Sequence, residues 1–186
     1  MEKRTARDFS RKEEYEVALL YASSYKEFSA NVIAEALGVS ESTCRTVLDN
    51  AVIHNVVNDK IVRLMSEKAA RNAQIHAGLK GKYSSLKHYE TLRAKRAAYL
   101  PSKREIIIIV KSYAESDLPK ECFSQTHYIT KQLLTKLIHL AIVNCYVNDK
   151  TVDLLKAKSI ERYGLSDVED FWKEILNKRN ENKKRG

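Results

Sequence analysis

The sequence predicts an all-α protein: two tandem copies of a three- or four-helix unit, joined by a helical connector. Three observations lead there. Only five glycines and two prolines occur in 186 residues, few for a protein folded on tight β-turns. Helix-start signals recur ahead of amphipathic runs. The chain also matches itself at an offset of 90: Val57-Asn58-Asp59-Lys60 returns as Val147-Asn148-Asp149-Lys150. Held without gaps, that offset pairs Ala51 with Ala141, Val62 with Val152, Leu64 with Leu154 and Lys68 with Lys158. These make eight identities over positions 51–68, where residue usage alone gives roughly one. Upstream the match is of character, with Val17-Ala18-Leu19-Leu20 over Ile107-Ile108-Ile109-Val110 and Thr46-Val47-Leu48 over Lys136-Leu137-Ile138.

In the first copy, Ser10 and Glu13 have capping-box spacing ahead of a helix with Val17, Leu20 and Tyr21 on one face. A short helix follows from about Ser29 to Leu37. Gly38-Val39-Ser40 turns the chain, and Ser40 caps a third helix reaching about Asn55. In the second copy Ser102 and Glu105 repeat the box, Asp117-Leu118-Pro119 opens the short helix, and Thr130 caps the long one. Ile106 to Val110 alone reads equally as a strand; its registration over Val17-Ala18-Leu19-Leu20 makes it a helix. Val56 to Val62 is open between two readings. Either it forms a two-strand wing turning at Asn58-Asp59, or Asn58 or Asp59 caps a fourth helix carrying Val62, Met65, Ala69 and Ala73. The absence of glycine and the helix formers from Leu64 to Ala73 favour the helix.

The boundaries that follow are 1–77 for the first unit, 78–102 for a basic connector, 103–176 for the second unit with a C-terminal helix, and 177–186 for a basic tail. In the connector, Tyr83 to Leu100 reads as a helix with Leu86, Tyr89, Leu92, Arg96 and Tyr99 near one face. Lys82, Lys87, Arg93 and Lys95 remain available to a partner. Ser166 and Glu169 form another box, with Phe171, Trp172, Ile175 and Leu176 beyond it and Trp172 expected in the core. From Asn177 onward a frayed tail is expected.

The formal charge of +9 is clustered. Residues 1–12 carry +3, residues 76–104 carry +7 and residues 177–186 carry +4, so basic segments flank two mildly acidic bodies. A clustered excess suits a polyanion whose phosphates attract the connector and the ends. The longest apolar run, Val17 to Ala22, is far short of the ~20 residues that span a bilayer. No apolar signal stretch follows Met1, and three widely spaced cysteines suit a reducing compartment, so a cytoplasmic location is expected.

Ile33-Ala34-Glu35-Ala36-Leu37-Gly38-Val39-Ser40-Glu41-Ser42-Thr43-Cys44-Arg45-Thr46-Val47 carries the functional signal. A small Ala34 lets two helices cross closely, and Gly38 permits the positive φ of a tight turn. Ile33, Leu37, Val39, Cys44 and Val47 are apolar pins. This stretch of some 20 residues resembles the helix-turn-helix of DNA-binding regulators, which makes the chain two tandem helix-turn-helix units. The resemblance implies that the third helix enters a major groove, presenting Ser40, Glu41, Ser42, Arg45 and Thr46, with Asp49 at the edge of that face. Arg45 would take a guanine edge, Glu41 a cytosine amine, and Thr46 a thymine methyl or a phosphate.

The second copy departs from the pattern. Ser124 replaces Ala34, His127 replaces Leu37 and Tyr128 replaces Gly38, so a remodelled or longer turn is expected. Its long helix nevertheless points Thr130, Lys131, Gln132, Thr135 and Lys136 outward, with no acid from Thr130 to Val147. That face suits DNA backbone, or a dimerisation or partner-binding surface. An 18-residue connector helix spans roughly 27 Å, against about 34 Å between successive major-groove faces, so one chain could mimic a dimer.

The glycines form neither a phosphate loop nor a dinucleotide fingerprint, and the histidines show no zinc-ligand pairing, so no enzyme, metal or cofactor is expected. The expectation is a small sequence-specific transcriptional or mobile-element regulator on double-stranded DNA. The alternative is a protein-interaction module with non-specific nucleic-acid affinity, binding a protein partner or itself. RNA is a weaker third, since no RNA-binding aromatic motif is present.

Overall fold

A computed structural model describes residues 4–23 and 28–185; Met1–Lys3 of the basic N-terminal segment and Gly186 of the tail lie outside them. Among the described residues there are α-helices, one 3-10 turn at Ala6–Asp8 and no strand. The chain divides into two compact units. One comprises the chain up to Leu100 with His127–Thr130, the other Pro101–Thr126 and the chain from Lys131. No described helix is long and apolar enough to cross a membrane.

The first unit holds α1 (Arg11–Ala22), α2 (Ala30–Ala36), α3 (Glu41–Ile53) and α4 (Asp59–Ala98). The capping box at α1 forms: the Ser10 amide donates to Glu13 Oε2 at 2.8 Å, and the Glu13 amide donates back to Ser10 Oγ. The buried face of α1 is Glu14, Val17, Ala18 and Tyr21, an i, i+3, i+4, i+7 stripe. Leu20 falls beside that stripe and is exposed, contrary to expectation. The Glu14 carboxylate is buried and meets His54 Nδ1 at 3.1 Å.

The Ser10 amide and the Arg4 guanidinium hold the Glu13 carboxyl at about 2, against an ordinary 4.5. A folded value below the unfolded one gives stability that is complete above about 4.5 and lost as the pH falls toward about 2. Glu13→Gln is expected to flatten the acid-unfolding curve within that window, measured by far-UV circular dichroism. Superimposable curves would show that the box contributes nothing to acid stability.

Helix α3 ends on Asn55 at φ +57°, where the Val56 amide donates back to the Ala51 carbonyl at 3.1 Å. This closure buries Val56 and Val57 and leaves Asn58 to cap α4 through the Ile61 amide. The fourth helix therefore forms and the wing does not. Helix α4 is non-helical at Ala77 and Gly78, which divides it into limbs 59–76 and 79–98. The second limb, read above as a connector, puts Tyr89 and Leu92 into the core of this unit beside Tyr21, Val47 and Val62. Its Arg96 guanidinium donates to Asn55 Oδ1 at 2.8 Å and pairs with Asp59 at 3.1 Å. With its apolar face buried against the first unit, this limb is no free spacer, and its 27 Å span loses the geometric role set out above.

The second unit holds α5 (Lys103–Glu115), α6 (Lys120–Thr126), α7 (Lys131–Val143), α8 (Asp149–Tyr163) and α9 (Leu165–Arg185). The Ser102–Glu105 box forms, and α5 is a helix through Ile106 to Val110. Cys145 at φ +55° closes α7 as Asn55 closes α3, with the Tyr146 amide donating to the Ala141 carbonyl at 2.9 Å. Asn148 then caps α8, so no wing forms here either. Helix α9 starts at Leu165, which places Ser166 inside it, with its hydroxyl on Asp167 instead of in a box with Glu169. It also runs to Arg185, where a frayed tail was expected. The reason is Arg179. Together with Val168, Trp172 and Ile175 it forms the buried face of α9, and its guanidinium donates to the Ile142 and Val147 carbonyls at 2.9 and 2.7 Å.

Tyr89, Leu92 and Arg96 of the first unit have the same spacing as Trp172, Ile175 and Arg179 of the second. Each arginine pairs with the first residue of the helix that follows the long one, Asp59 or Asp149, at 3.1 or 3.0 Å. Lys68 and Lys158, identical at the offset of 90, also share a task. Lys68 donates to the Ser23 and Phe28 carbonyls over the Tyr21 ring; Lys158 donates to the Tyr113 and Ser116 carbonyls over the Tyr113 ring. Each fastens the end of its unit's first helix, and burial pushes both amines down.

Candidate nucleic-acid interface

Ser29 caps α2 by accepting from the Val32 amide, and Ile33 and Ala34 bury its inner face. The helix ends as the Val39 amide reaches the Ala34 carbonyl at 3.0 Å, a closure that requires the left-handed Gly38 at φ +66°. Ser40 then caps α3 through the Thr43 amide. Of the five apolar pins, Ile33, Cys44 and Val47 are buried and Val39 is half-buried. Leu37 ends α2 facing outward, 38% exposed, and pins nothing. Cys44 is fully buried, and burial pushes its thiol up, so it is a small core residue without thiolate chemistry.

The N-terminal half of α3 is open: Ser40, Glu41, Ser42, Arg45 and Thr46 are exposed. They satisfy one another first. Arg45 donates to Glu41 Oε1 at 2.5 and 2.9 Å, the Ser40 hydroxyl lies 2.8 Å from those of Ser42 and Thr43, and Thr46 donates to the Ser42 carbonyl. Asp49 meets His88 Nε2 at 3.0 Å. Between α3 and the two limbs of α4 lies an open cleft of about 770 Å³, lined by Tyr21, Arg45, Asp49, Asn72, His88 and Tyr89 among others. Its residues come from four separate stretches of chain, and no local motif marks it.

In the second sequence copy Tyr128 takes φ +49°, so a left-handed tyrosine stands where Gly38 stood and the turn keeps its handedness. Thr130, expected to point outward, is only 7% exposed: it is grouped with the first unit, where its amide donates to the Asn55 carbonyl at 2.9 Å and its hydroxyl to Asn55 Oδ1 at 3.3 Å. Lys131, Gln132, Thr135 and Lys136 are exposed on α7. Lys131 pairs with Glu121 at 3.3 Å, and Thr135 accepts from Lys120. Glu121 is gathered more strongly by Arg162, whose guanidinium holds its carboxyl at about 2. On the second limb of α4, Lys87, Arg93 and Lys95 are exposed and Lys82 is half-buried.

Among the described residues no three His, Cys, Asp or Glu side chains converge as metal ligands do. No family model, no curated protein and no solved structure matches the chain.

Proposed function

We propose that the chain is a double-stranded-DNA-binding regulator built on tandem helix-turn-helix units. In this reading α3 enters the major groove, and the outward basic face of α7 holds phosphate. One observation carries it: a left-handed Gly38 turn presents an exposed, polar N-terminal half of α3 on a packed apolar base, in a chain whose cationic excess is clustered. Ser42 and Thr46 are exposed on the same face, and Arg45 reaches a guanine edge by exchanging the Glu41 carboxylate for base acceptors. Lys131, Gln132, Thr135 and Lys136, with Lys87, Arg93 and Lys95, would supply the salt-dependent share of affinity.

The test is selection from a random duplex library at about 50 and 200 mM salt. An enriched motif with a steep salt slope supports the reading. Arg45→Ala is then expected to lose roughly 1–3 kcal/mol of discrimination at one base position while leaving the salt slope nearly unchanged. Unaltered preference at every position would remove Arg45 from base reading.

The Glu41–Arg45 pair also supports a second reading, a protein-binding module, because it neutralises the cation at the centre of the exposed face. No DNA binding at either salt concentration would decide for that alternative.

A further inference from the structure

We propose that residues 79–98 exchange between two copies of the chain, the second limb of α4 from one copy packing into the first unit of the other, with Ala77 and Gly78 as the hinge. The inference does not depend on DNA binding. Its basis is the bend itself. Gly78 is held at φ +61°, ψ −153°, a conformation essentially restricted to glycine, while both flanking limbs are regular helix. Three residues further on, a Cβ placed on Gly81 would strike the Ala73 carbonyl oxygen and come within 2.8 Å of the Ala77 Cβ. The fold-back therefore rests on two glycines. Setting only Ala77 and Gly78 to helical angles gives one straight helix of about 60 Å, in which Gly81 lies clear of Ala73.

The second copy is the occupant because the fit is already present within one copy. Tyr89 and Leu92 fill the first unit's core, Arg96 binds Asn55 and Asp59, and His88 meets Asp49. A limb from another copy finds the identical surface, which is what makes exchange of an element a low-cost route to a dimer.

The bend also carries an apolar stripe with no role in one copy: Ile75 is 78% exposed, Leu79 60% and Tyr83 65%. In a straight helix these residues stand at i, i+4 and i+8 on one face. A two-fold axis through the hinges sets two such helices antiparallel and brings the stripes together, covering apolar surface that a monomer leaves in water.

Gly78→Ala with Gly81→Ala opposes the bend and is compatible with the straight helix. The full-length double variant is expected to keep its helical circular dichroism and to run at twice its 21.4 kDa by light scattering. To locate the limb, Asp49→Cys and His88→Cys are introduced with Cys122→Ser and Cys145→Ser. A bis-maleimide long enough to bridge the two thiols is expected to link two chains in the glycine variant, and the absence of any link between chains would overturn the proposal. A folded monomer, a dimer linked only within each chain, or loss of helix would each overturn the proposal in that variant. The same cysteine pair with both glycines retained, refolded at high protein concentration, keeps the test independent of the glycine substitutions. Interchain links are expected there, and links only within chains overturn the proposal.

Discussion

Phe123→Ala is expected to destabilise the second unit by about 3–5 kcal/mol, the usual cost of removing a buried phenylalanine ring. Phe123 is 1% exposed, and its ring meets Tyr113 edge-on at 5.1 Å. Helix α6 has seven residues, too few to persist on its own hydrogen bonds. Phe123 and Ser124 are its buried residues, and the Ser124 hydroxyl finds no hydrogen-bond partner among the described residues. The ring therefore carries the attachment of α6, as Ile33 carries that of α2. The check is urea denaturation followed by the fluorescence of Trp172, the single tryptophan, which is buried in the same unit. Ser124→Ala is the contrasting variant. It removes an unsatisfied buried hydroxyl and should be neutral or stabilising. Equal losses at the two positions would show that α6 is held by something other than the ring.

Arg179→Ala is expected to cost about 3 kcal/mol, since it strips the charged donor from two buried carbonyls, each of which loses roughly 1–3 kcal/mol when left unpaired. Arg179 is 3% exposed and binds the Ile142 carbonyl, the Val147 carbonyl and Asp149. Asp149 is the smaller part of the loss: it is largely exposed and keeps Lys183 at 2.9 Å. In a domain of this size the thermal midpoint reported by Trp172 should fall by about 12–24 °C. Arg179→Lys restores a charge without the fork and should recover only part of it. The matching variant in the first unit, Arg96→Ala, should leave the Trp172 transition in place. A shift there as large as that of Arg179→Ala would mean that the two units unfold as one.

The local parts of this structure could be read from single stretches of chain. Ser10, Ser40 and Ser102 cap helices because a hydroxyl three residues ahead of an amide satisfies it wherever the helix is placed. The Gly38 turn was readable for the same reason, since its positive φ is a property of four or five neighbouring residues. The repeat of Lys68 at Lys158 marked a shared task without saying what the task was. The outward face of α3 followed from its helical period, whereas the pairing of Arg45 with Glu41 and of Asp49 with His88 did not.

Charge misled most where it was buried. Arg96 and Arg179 lie in stretches rich in lysine and arginine, and such stretches read as solvated connector and tail. Each arginine instead meets carbonyl or amide oxygens and an aspartate far along the chain, and those partners have no local signature. Composition, caps and the offset of 90 thus establish an all-helical chain and the order of its helices, because backbone hydrogen bonding and side-chain period act over a few residues. Only the tertiary structure decides that the connector and the tail are the closing helices of the two units. That assignment depends on which distant oxygens meet a buried guanidinium, and no periodicity encodes it.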